Sequence, residues 1–393
     1  MTGDDRPAAR SRLIGRRRRV FRAVAIGVAV VLAALAAAVL VVLHHLDGNI
    51  SSVDLNKGLG TSRPSEIPRP NKPQQPMNIL LIGSDTREGQ RGHFGIVPGA
   101  RSDTTILLHL NADRTLAYGV SIPRDSIVQR PPCKSADGSV DPGGRSMFNA
   151  AYSVGGPLCT VKTVSTITGV PIEHFVEIDF NGFRDMVNAL GGVQVCLPYA
   201  VHDTVGHINL PAGTHTLNGY ESLQYVRERY AFSGGGDVAR THRQQAFLAS
   251  MASKALSAGT LANPIRLYRF MDAATRSLTT DTGLDSVTKL VGLARQLKGI
   301  SKEHIQFVTV RTKPYAPNPD RLVWKPSAHK IWDAMIHDRP LPKSLRVGAT
   351  TAAGQLEPGT GTAPGKHHTS KQETARARAA RTDGLCASAP AAQ

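Results

Sequence analysis

The sequence lacks the motifs that mark several common enzyme classes. It contains no Gly-x-Ser-x-Gly segment and no Walker loop, so neither the nucleophile elbow of α/β-hydrolases nor the phosphate loop of P-loop NTPases is present. Its four cysteines form no Cys-x-x-Cys pair and show no spacing typical of a zinc site. Acidic residues are few beside the basic ones, because 47 lysines and arginines face 30 aspartates and glutamates. A function must therefore come from a different set of side chains.

The basic residues are concentrated at the N-terminus, next to a long apolar run. Residues 1–22 contain eight arginines, and residues 23–43 contain no charge, proline or amide side chain. A helix of that length spans about 32 Å, enough for a hydrocarbon core. No small-residue cleavage pattern follows, which favours a retained anchor over a signal peptide. The positive-inside rule then predicts a cytoplasmic Arg-rich arm at 1–22, a transmembrane anchor at 23–46 and an extracytoplasmic remainder.

Composition divides the exported part into three segments. Residues 47–76 are polar and Pro-rich without an apolar period, which predicts a stalk. Residues 77–342 alternate strand and helix patterns, and predict an α/β/α sandwich around a central, largely parallel or mixed sheet. Residues 343–393 turn to Ala, Thr, Gly and Pro with almost no large apolar residue, and predict a disordered tail. The predicted strands are 78–82, 104–110, 116–122, 174–178, 193–197 and 305–310. The predicted helices are 149–168, 180–190, 219–227, 237–258, 264–277 and 284–297, the first of them in two pieces broken at Gly155-Gly156-Pro157.

Cysteine usage agrees with an exported domain. In an oxidising compartment Cys133 and Cys159 can close one loop, and a bridge of that kind stabilises a fold by about 3 kcal/mol in the chain-entropy model. Cys196 would then be a buried thiol in a strand, and Cys386 would lie in the tail. From the sequence alone this pairing is a hypothesis.

Arginines and aspartates cluster where the predicted strands end. Ligand sites of open α/β sheets gather at such edges, and a later arginine run adjoins a Gly-rich loop at 233–236. The planar fork of arginine matches phosphate oxygens, and carboxylates hold a hard divalent cation, so this set predicts a cradle for pyrophosphate and magnesium. The candidate side chains are Asp85, Arg87, Arg101, Asp103, Arg124, Asp125, Arg227, Arg229, Asp237, Arg240 and Gln244.

Each of these residues also has a simpler explanation. An aspartate after a strand is often only a turn or cap residue, and residues 226–245 can be a solvated basic surface. Asp237, Arg240 and Gln244 are spaced i, i+3 and i+7, so they share one helical face. Arg243 lies off that face, and a structural salt bridge is predicted for it. The spacing therefore separates ligand-facing residues from a structural one.

Eight short motifs occur in order along the exported part. They are Asn-Ile-Leu-Leu-Ile-Gly-Ser-Asp at 78–85, Arg-Ser-Asp-Thr at 101–104, Ser-Ile-Pro-Arg-Asp at 121–125, Asn-Ala-Ala-Tyr at 149–152, Phe-Val-Glu-Ile-Asp-Phe-Asn-Gly-Phe at 175–183, Gly-Gly-Val at 191–193, Leu-Asn-Gly-Tyr-Glu-Ser-Leu-Gln-Tyr-Val-Arg-Glu-Arg at 217–229 and Arg-Thr-His-Arg-Gln-Gln at 240–245. This order resembles the LytR-CpsA-Psr family of cell-wall glycopolymer ligases. The resemblance is close over residues 77–260 and loose up to about residue 340.

The resemblance implies a single-pass, Mg²⁺-dependent phosphotransferase of the cell membrane, with its catalytic domain outside. Such enzymes move a glycopolymer, for example a teichoic acid, from a polyprenyl-pyrophosphate carrier onto peptidoglycan, usually the muramic acid 6-hydroxyl. By motif, Asp85 and Asp103 would hold Mg²⁺, with Mn²⁺ as the alternative. The pyrophosphate would be bound by Arg101, Arg124, Arg227, Arg229, Arg240 and Gln244. Asp103, Arg124 and Arg227 are the expected catalytic residues, and Arg87 and Asp237 are further candidates.

One position departs from the family pattern. Many relatives have a basic residue two positions before the Asn of the Asn-Ala-Ala-Tyr motif, where this chain has Met147. Either Arg145 substitutes for that residue, or one phosphate contact is missing.

Two other functions are consistent with parts of the sequence. A non-catalytic polyprenyl-phosphate binding protein would need the arginines and an apolar channel but not Asp85 and Asp103. A membrane-bound transcription attenuator is an older interpretation of such sequences, but the membrane span places the folded domain on the wrong side from DNA. The Arg-rich arm adjoins that span and needs no nucleic acid to explain it, so no nucleic-acid partner is predicted.

Overall fold

A computed structural model describes residues 6–59, 64, 74–85, 102–135, 137–197, 200–203, 208–228, 237–255, 257–301, 304–346 and 349–351. The chain divides into two compact units, Met1–Gly48 and Asn49–Gln393. Helix α1 (Arg6–Asn49) makes up the described part of the first unit. Its segment Phe21–Asn49 is the one helix in the described part that is long and apolar enough to cross a membrane. This agrees with the predicted anchor.

The second unit contains all other helices and strands. The helices are α2 (Leu55–Leu59), α3 (Ala150–Thr168), α4 (Phe180–Ala189), α5 (Gly219–Arg227), α6 (Asp237–Ala255), α7 (Ala258–Leu261), α8 (Pro264–Ser277), α9 (Val287–Lys298) and α10 (His329–Ile336). The strands are β1 (Ser51–Val53), β2 (Met77–Ser84), β3 (Ser102–Leu110), β4 (Ala117–Ser121), β5 (Ile127–Arg130), β6 (Cys133–Lys134), β7 (Val140–Asp141), β8 (Gly144–Met147), β9 (His174–Asp179), β10 (Val193–Leu197), β11 (Val201–Asp203), β12 (Ile208–Leu210), β13 (Gly213–Leu217), β14 (Leu278–Asp281), β15 (Ile305–Thr309), β16 (Thr312–Tyr315), β17 (Asn318–Trp324) and β18 (Thr350–Thr351).

Eight of the described strands form one central sheet in the order β1-β14-β9-β2-β3-β4-β15-β18. The pairs β1–β14, β9–β2 and β4–β15 are parallel, and the other four neighbouring pairs are antiparallel. The sheet is therefore mixed, and less parallel than the alternation of strands and helices suggested. The difference arises because β2, β3 and β4, which follow one another among the described elements, pair as antiparallel neighbours.

Both faces of the sheet are covered, which confirms the α/β/α architecture. Alternate side chains of a strand point to opposite faces. Leu80 of β2 faces a core formed with α3 and α10, whereas its neighbour Ile79 packs with Ile300 and with residues of α9. A strand buried on both faces has an almost continuous apolar run, as the Ile-Leu-Leu-Ile segment of β2 does.

The folded domain begins earlier than the sequence predicted. Strand β1 pairs in parallel with β14 at the edge of the sheet, and Leu55 and Leu59 of α2 belong to the main core. The prediction of a stalk over 47–76 was therefore wrong for residues 49–59. A three-residue edge strand is held by main-chain hydrogen bonds and shows no apolar period that a sequence pattern could reveal.

The domain also continues beyond residue 342. Strand β18 pairs with β15, and Leu345 and Ala349 are buried in the main core. The predicted tail therefore starts too early, since these residues are part of the fold. Residues 352–393 lie outside the described residues.

The cysteines agree with one prediction and correct another. Cys133 and Cys159 form a disulfide with a Cα–Cα distance of 5.6 Å, as hypothesised. Cys196 was expected to be a buried thiol, but it is half-buried and disulfide-bonded. Its position explains the error, because in β10 it lies on the same side as the exposed Gln194 rather than on the core side. Cys386 lies outside the described residues.

Candidate functional site

Asp103 and Arg124 meet across the ends of β3 and β4. The antiparallel register pairs Ile106 with Ser121. Continued by three residues, the same register places Asp103 opposite Arg124, and Arg124 Nη1 donates a hydrogen bond to Asp103 Oδ1. Two residues that are 21 positions apart in the sequence therefore form one cross-strand ion pair.

A bulge presents the Asp103 carboxylate. Gly83 pairs with Thr104, whereas the next residue, Ser84, pairs with Ser102. Asp103 is thus the extra residue of β3, without a partner on β2. Bulges of this kind redirect a side chain and occur at functional edges of sheets. This bulge lies where β2 ends. Asp103 is therefore at the same edge of the sheet as Asp85, which directly follows β2.

Arg124 contacts two carboxylates and retains donor capacity. Besides Asp103, its Nε lies 3.6 Å from Asp125 Oδ2, which is too long for a hydrogen bond. Asp125 in turn lies 3.5 Å from Arg321 Nη1. Arg124 Nε has no hydrogen-bond partner among the described residues, although it is buried. A buried donor of this kind is costly unless a partner arrives, so it favours a ligand with acceptor oxygens.

A small polar cleft opens beside this ion pair. Its described lining consists of Asp103, Thr104, Thr105, Ser121, Ile122, Arg124, Arg240, Thr241 and Gln244. These residues come from β3, from the end of β4 and the segment after it, and from the start of α6. The Arg240 side chain is only 3% exposed, so its permanent charge has lost most of its water. A site with two guanidinium groups and several hydroxyl groups can bind an anion such as phosphate.

Helix α6 fixes the walls of this cleft through three consecutive side chains. Each donates a hydrogen bond to a different partner: Arg243 to the Glu228 carbonyl, Gln244 to the Val226 carbonyl at 3.0 Å, and Gln245 to the Ser121 hydroxyl at 2.7 Å. Arg243 is 1% exposed, which agrees with the structural role predicted for it. The partner described for it is a main-chain carbonyl, and the predicted salt bridge stays a prediction. Gln244 lines the cleft as predicted, but its amide nitrogen also supports the end of α5.

Arg227 lies in a different part of the site. It is the last residue of α5, and its guanidinium carbon lies 5.0 Å from the centre of the Phe180 ring, at the start of α4. This is a cation–π contact. The described lining of the cleft does not include Arg227 or Asp85. Asp85 directly follows β2 and is half-buried.

The other predicted residues are only partly described. Arg87, Arg101 and Arg229 lie outside the described residues. Asp237 begins α6, but its side chain is also outside them. Their predicted roles therefore stay predictions.

The position at which the family pattern has a basic residue lies away from the described cleft lining. Met147 is half-buried in β8, opposite Ile127. The guanidinium carbon of Arg145 lies 5.5 Å from the centre of the Tyr315 ring. Neither side chain is part of the described lining. The structure thus gives Arg145 an aromatic partner, and a phosphate contact for it stays a prediction.

Sequence reasoning missed a buried acidic residue behind the end of β2. Glu177 of β9 is 7% exposed, and the Tyr152 hydroxyl donates a hydrogen bond to Glu177 Oε1. Burial raises the pKa of the Glu177 carboxyl, and hydrogen bonds from Tyr152 and Ser84 oppose this only in part. Burial also raises the pKa of the Tyr152 hydroxyl. The sequence contained a sign of this burial, because Glu177 is two residues after Phe175 in β9 and therefore faces the same buried side of the strand.

Comparisons with known proteins agree with the fold and with the motif order. Over 328 residues the chain is 30% identical to the cell wall biosynthesis protein LcpA of Corynebacterium glutamicum, which covers 74% of this chain and 60% of the relative. Over 190 residues it is 36% identical to the polyisoprenyl-teichoic acid–peptidoglycan teichoic acid transferase TagT of Bacillus subtilis, covering 47% of this chain and 54% of the relative. The chain thus spans somewhat more than half of the length of these relatives.

Structure and family comparisons lead to the same group of proteins. The solved structure of TagT bound to LIIa-WTA has a TM-score of 0.51 and 25% identity, and covers 73% of this chain and 98% of that chain. Residues 42–335 match the family model described as the LytR_cpsA_psr family. That match includes every described candidate side chain and most of the chain. The chain therefore belongs to the LytR-CpsA-Psr family.

Proposed function

We propose that this chain is an extracytoplasmic phosphotransferase that moves a glycopolymer from a polyprenyl-pyrophosphate carrier onto peptidoglycan. The muramic acid 6-hydroxyl is the proposed acceptor, and polyprenyl phosphate is the released product. The observation that carries the proposal is the polar cleft in which Asp103, Arg124 and the buried Arg240 come together. The names of the relatives support it, because TagT is a polyisoprenyl-teichoic acid–peptidoglycan teichoic acid transferase.

The proposed reaction exchanges a phosphoanhydride bond of the carrier for a phosphoester bond to the acceptor. The acceptor oxygen bonds to the phosphorus atom next to the glycopolymer, and the bond from that phosphorus to the bridging oxygen breaks. The bridging oxygen leaves with the polyprenyl phosphate, while the first phosphate stays as a phosphodiester between glycopolymer and peptidoglycan. Such transfers depend mainly on positioning and on neutralising charge. Arg124 and Arg240 would take the phosphate charge, with Arg101, Arg227 and Arg229 as further cations.

The acceptor hydroxyl must also lose its proton. A carboxylate within hydrogen-bond reach of the hydroxyl can accept it. Of the two aspartates Asp103 is the better candidate, because it lines the cleft, whereas Asp85 is outside its described lining. Asp103 would accept the proton only while its carboxylate is not a tight Mg²⁺ ligand. The hydrogen bond from Arg124 would hold the Asp103 carboxylate in place for this step.

A divalent cation fits the donor set at this edge of the sheet. Magnesium usually binds one or two carboxylates and takes its other ligands from water and substrate phosphates, so Asp85 and Asp103 are a sufficient protein contribution. Among the described residues there is no cluster of three or more His, Cys, Asp or Glu residues, and a closed, all-protein metal cage is not needed for this role. When bound, Mg²⁺ (or Mn²⁺) would supply positive charge for the diphosphate.

The proposed orientation follows from the charge around the membrane helix. The Arg-rich residues 1–22 would stay in the cytoplasm, and the second unit would face the cell wall. The protein would then be a single-pass protein of the cell membrane. Its donor, carried by a polyprenyl chain, would lie in the same membrane, and its acceptor on the outer side.

Arg124 provides the test of this function. The full-length chain in detergent micelles would be given a polyprenyl-pyrophosphate-linked glycopolymer and peptidoglycan, and transfer would be measured as glycopolymer bound to the wall fraction. Removing one cation from a site of developing charge should reduce the rate by about 10²–10³-fold for Arg124→Ala. The matched control is Arg295→Ala, an exposed arginine of α9, which should leave the rate unchanged.

Two outcomes would contradict the proposal. A folded Arg124→Ala variant that transfers at the wild-type rate would show that the cleft does not bind the reacting phosphates. Tight binding of polyprenyl phosphate by the wild-type chain without any transfer, with or without Mg²⁺, would favour a carrier protein instead.

A further inference from the structure

Helix α8 carries exposed apolar side chains on one face. Ile265 is 65% exposed and Tyr268 is 40% exposed, and a spacing of three residues places them on the same side of the helix. Leu261, at the end of the preceding helix α7, is 51% exposed. Large apolar side chains that are exposed together commonly mark an interaction surface.

The same face of α8 receives the chain as it arrives from the membrane helix. The side-chain amide of Asn49 donates to Asp272 Oδ1 and to Thr275 Oγ1, each at 3.2 Å. Asp272 follows Ile265 by seven residues, and Thr275 follows Tyr268 by seven. Seven residues are nearly two full turns, so Asn49 lies over the apolar face, about 10 Å along the helix from Ile265 and Tyr268.

Asn49 is also close to the membrane along the chain. The apolar run ends at residue 43, and residues 43–49 are helical. Even a fully extended chain of six residues spans at most about 20–22 Å, so Asn49 cannot lie farther than that from the end of the apolar run. The covalent chain therefore tethers the face of α8 that binds Asn49 within reach of the membrane surface.

Positive charge flanks the apolar face. Arg266 and Arg269 lie in its N-terminal half, and Arg269 is exposed. Further along, Arg276 forms an ion pair with Asp272 at 2.6 Å. Arginines at a lipid surface extend their apolar stems along the acyl chains and place their charge among anionic headgroups. Tyrosine is likewise enriched at the boundary between lipid and water.

We propose that α8 is an interfacial helix that docks on anionic lipid headgroups of the leaflet from which the anchor helix emerges. Ile265, Tyr268 and Leu261 enter the boundary between headgroups and acyl chains, and Arg266 and Arg269 bind lipid phosphates. An apolar face of this kind with flanking basic residues is typical of helices that lie in the membrane plane. The proposal concerns docking alone, so it stands or falls independently of the proposed reaction.

Quenching of tryptophan fluorescence by brominated lipid tests the docking. The full-length Tyr268→Trp variant would be reconstituted in vesicles of phosphatidylcholine and phosphatidylglycerol with bromine on the upper acyl chain. The matched control is Tyr315→Trp, in the hairpin that follows β15. Strand β15 lies six positions from β1 in the central sheet, or about 29 Å across it. The native Trp332 lies in the main core and Trp324 packs against it, and both supply the same background in the two variants.

The expected result is a loss of emission in the Tyr268→Trp variant alone. Adding Arg266→Gln and Arg269→Gln to that variant should lower the ratio of docked to undocked protein by about fivefold for each arginine, and restore emission accordingly. Equal quenching of the Tyr268→Trp and Tyr315→Trp variants would overturn the proposal. A blue-shifted but unquenched Tyr268→Trp emission would also overturn it, because the face would then be covered by protein, for example by a second copy of the chain.

Discussion

Removal of the Cys133–Cys159 disulfide should cost the folded domain about 3.5 kcal/mol. The two cysteines are 26 residues apart in sequence. Closing a loop of that length removes about 12 cal/mol/K of chain entropy from the unfolded state, which is about 3.5 kcal/mol at 25 °C. The perturbation is the double variant Cys133→Ala and Cys159→Ala. Both side chains are only 3% exposed, so the loss of packed sulfur atoms adds to the cost.

The loop that this disulfide closes reaches the candidate site. It contains β8 and the start of α3, and the Asn149 N–H donates to the Arg124 carbonyl at 3.2 Å. Weakening the loop therefore weakens a support of the Arg124 backbone. We expect the double variant to keep its transfer activity at low temperature and to lose it at a lower temperature than the wild type.

Urea unfolding in detergent micelles measures the magnitude. Trp324 and Trp332 report on the main core, and the midpoint should fall at an unchanged dependence on urea. The control is Val154→Ala, which trims a residue packed against the disulfide but keeps the cross-link. The reasoning is refuted if the double variant loses less than about 1 kcal/mol, or if Val154→Ala costs as much as the double variant.

Three further variants test individual contacts. Burial raises the folded-state pKa of Glu177, so ionisation of its carboxyl opposes folding as the pH rises above the unfolded value of 4.5. The Glu177→Gln variant should therefore gain stability relative to the wild type between acid and neutral pH, measured by unfolding at a series of pH values. A stability difference that does not change with pH would contradict this. Arg243→Met should destabilise the domain by about 1–3 kcal/mol in thermal unfolding, because a buried main-chain carbonyl loses its donor; unchanged stability would argue against a structural role. A Cβ atom on Gly182 would lie 1.7 Å from Cβ of Ser277, so Gly182→Ala should lower the free energy of unfolding by about 1–3 kcal/mol. Gly292→Ala on α9, where there is open space, should leave the stability unchanged or raise it. Equal effects of the two substitutions would refute the clash.

The longer elements of the fold could be predicted from local patterns. Strand β10 and helix α8 have the predicted boundaries, because alternation of side chains and a capping Asn263 with Pro264 at the first turn are local signals. Strands β1 and β18 could not be predicted in this way. Each is held by main-chain hydrogen bonds to a strand far away in sequence, β14 or β15, and its own side chains show no apolar period.

The members of the site could be predicted better than their arrangement. Helical spacing assigned Arg240 and Gln244 to one face and Arg243 to another, and the structure places them accordingly. The ion pair of Asp103 with Arg124 depends on the β3–β4 register and on a bulge, neither of which a local pattern specifies. Arginines and aspartates near strand ends therefore indicated a site, and only tertiary pairing showed which of them work together.

The arginine run of α6 serves both as part of the site and as its scaffold. Within three consecutive residues, Arg243 supports the segment after α5, Gln244 supports the end of α5, and Gln245 supports the end of β4. Arg240, one turn earlier, is thereby held at a fixed position relative to Arg124. Donors that are fixed before a ligand arrives need no reorganisation when phosphate charge develops, and this is the main source of electrostatic stabilisation in enzymes. The density of arginine and glutamine here thus meets two needs, since the charge that we propose binds an anion is itself held in place by neighbouring polar side chains.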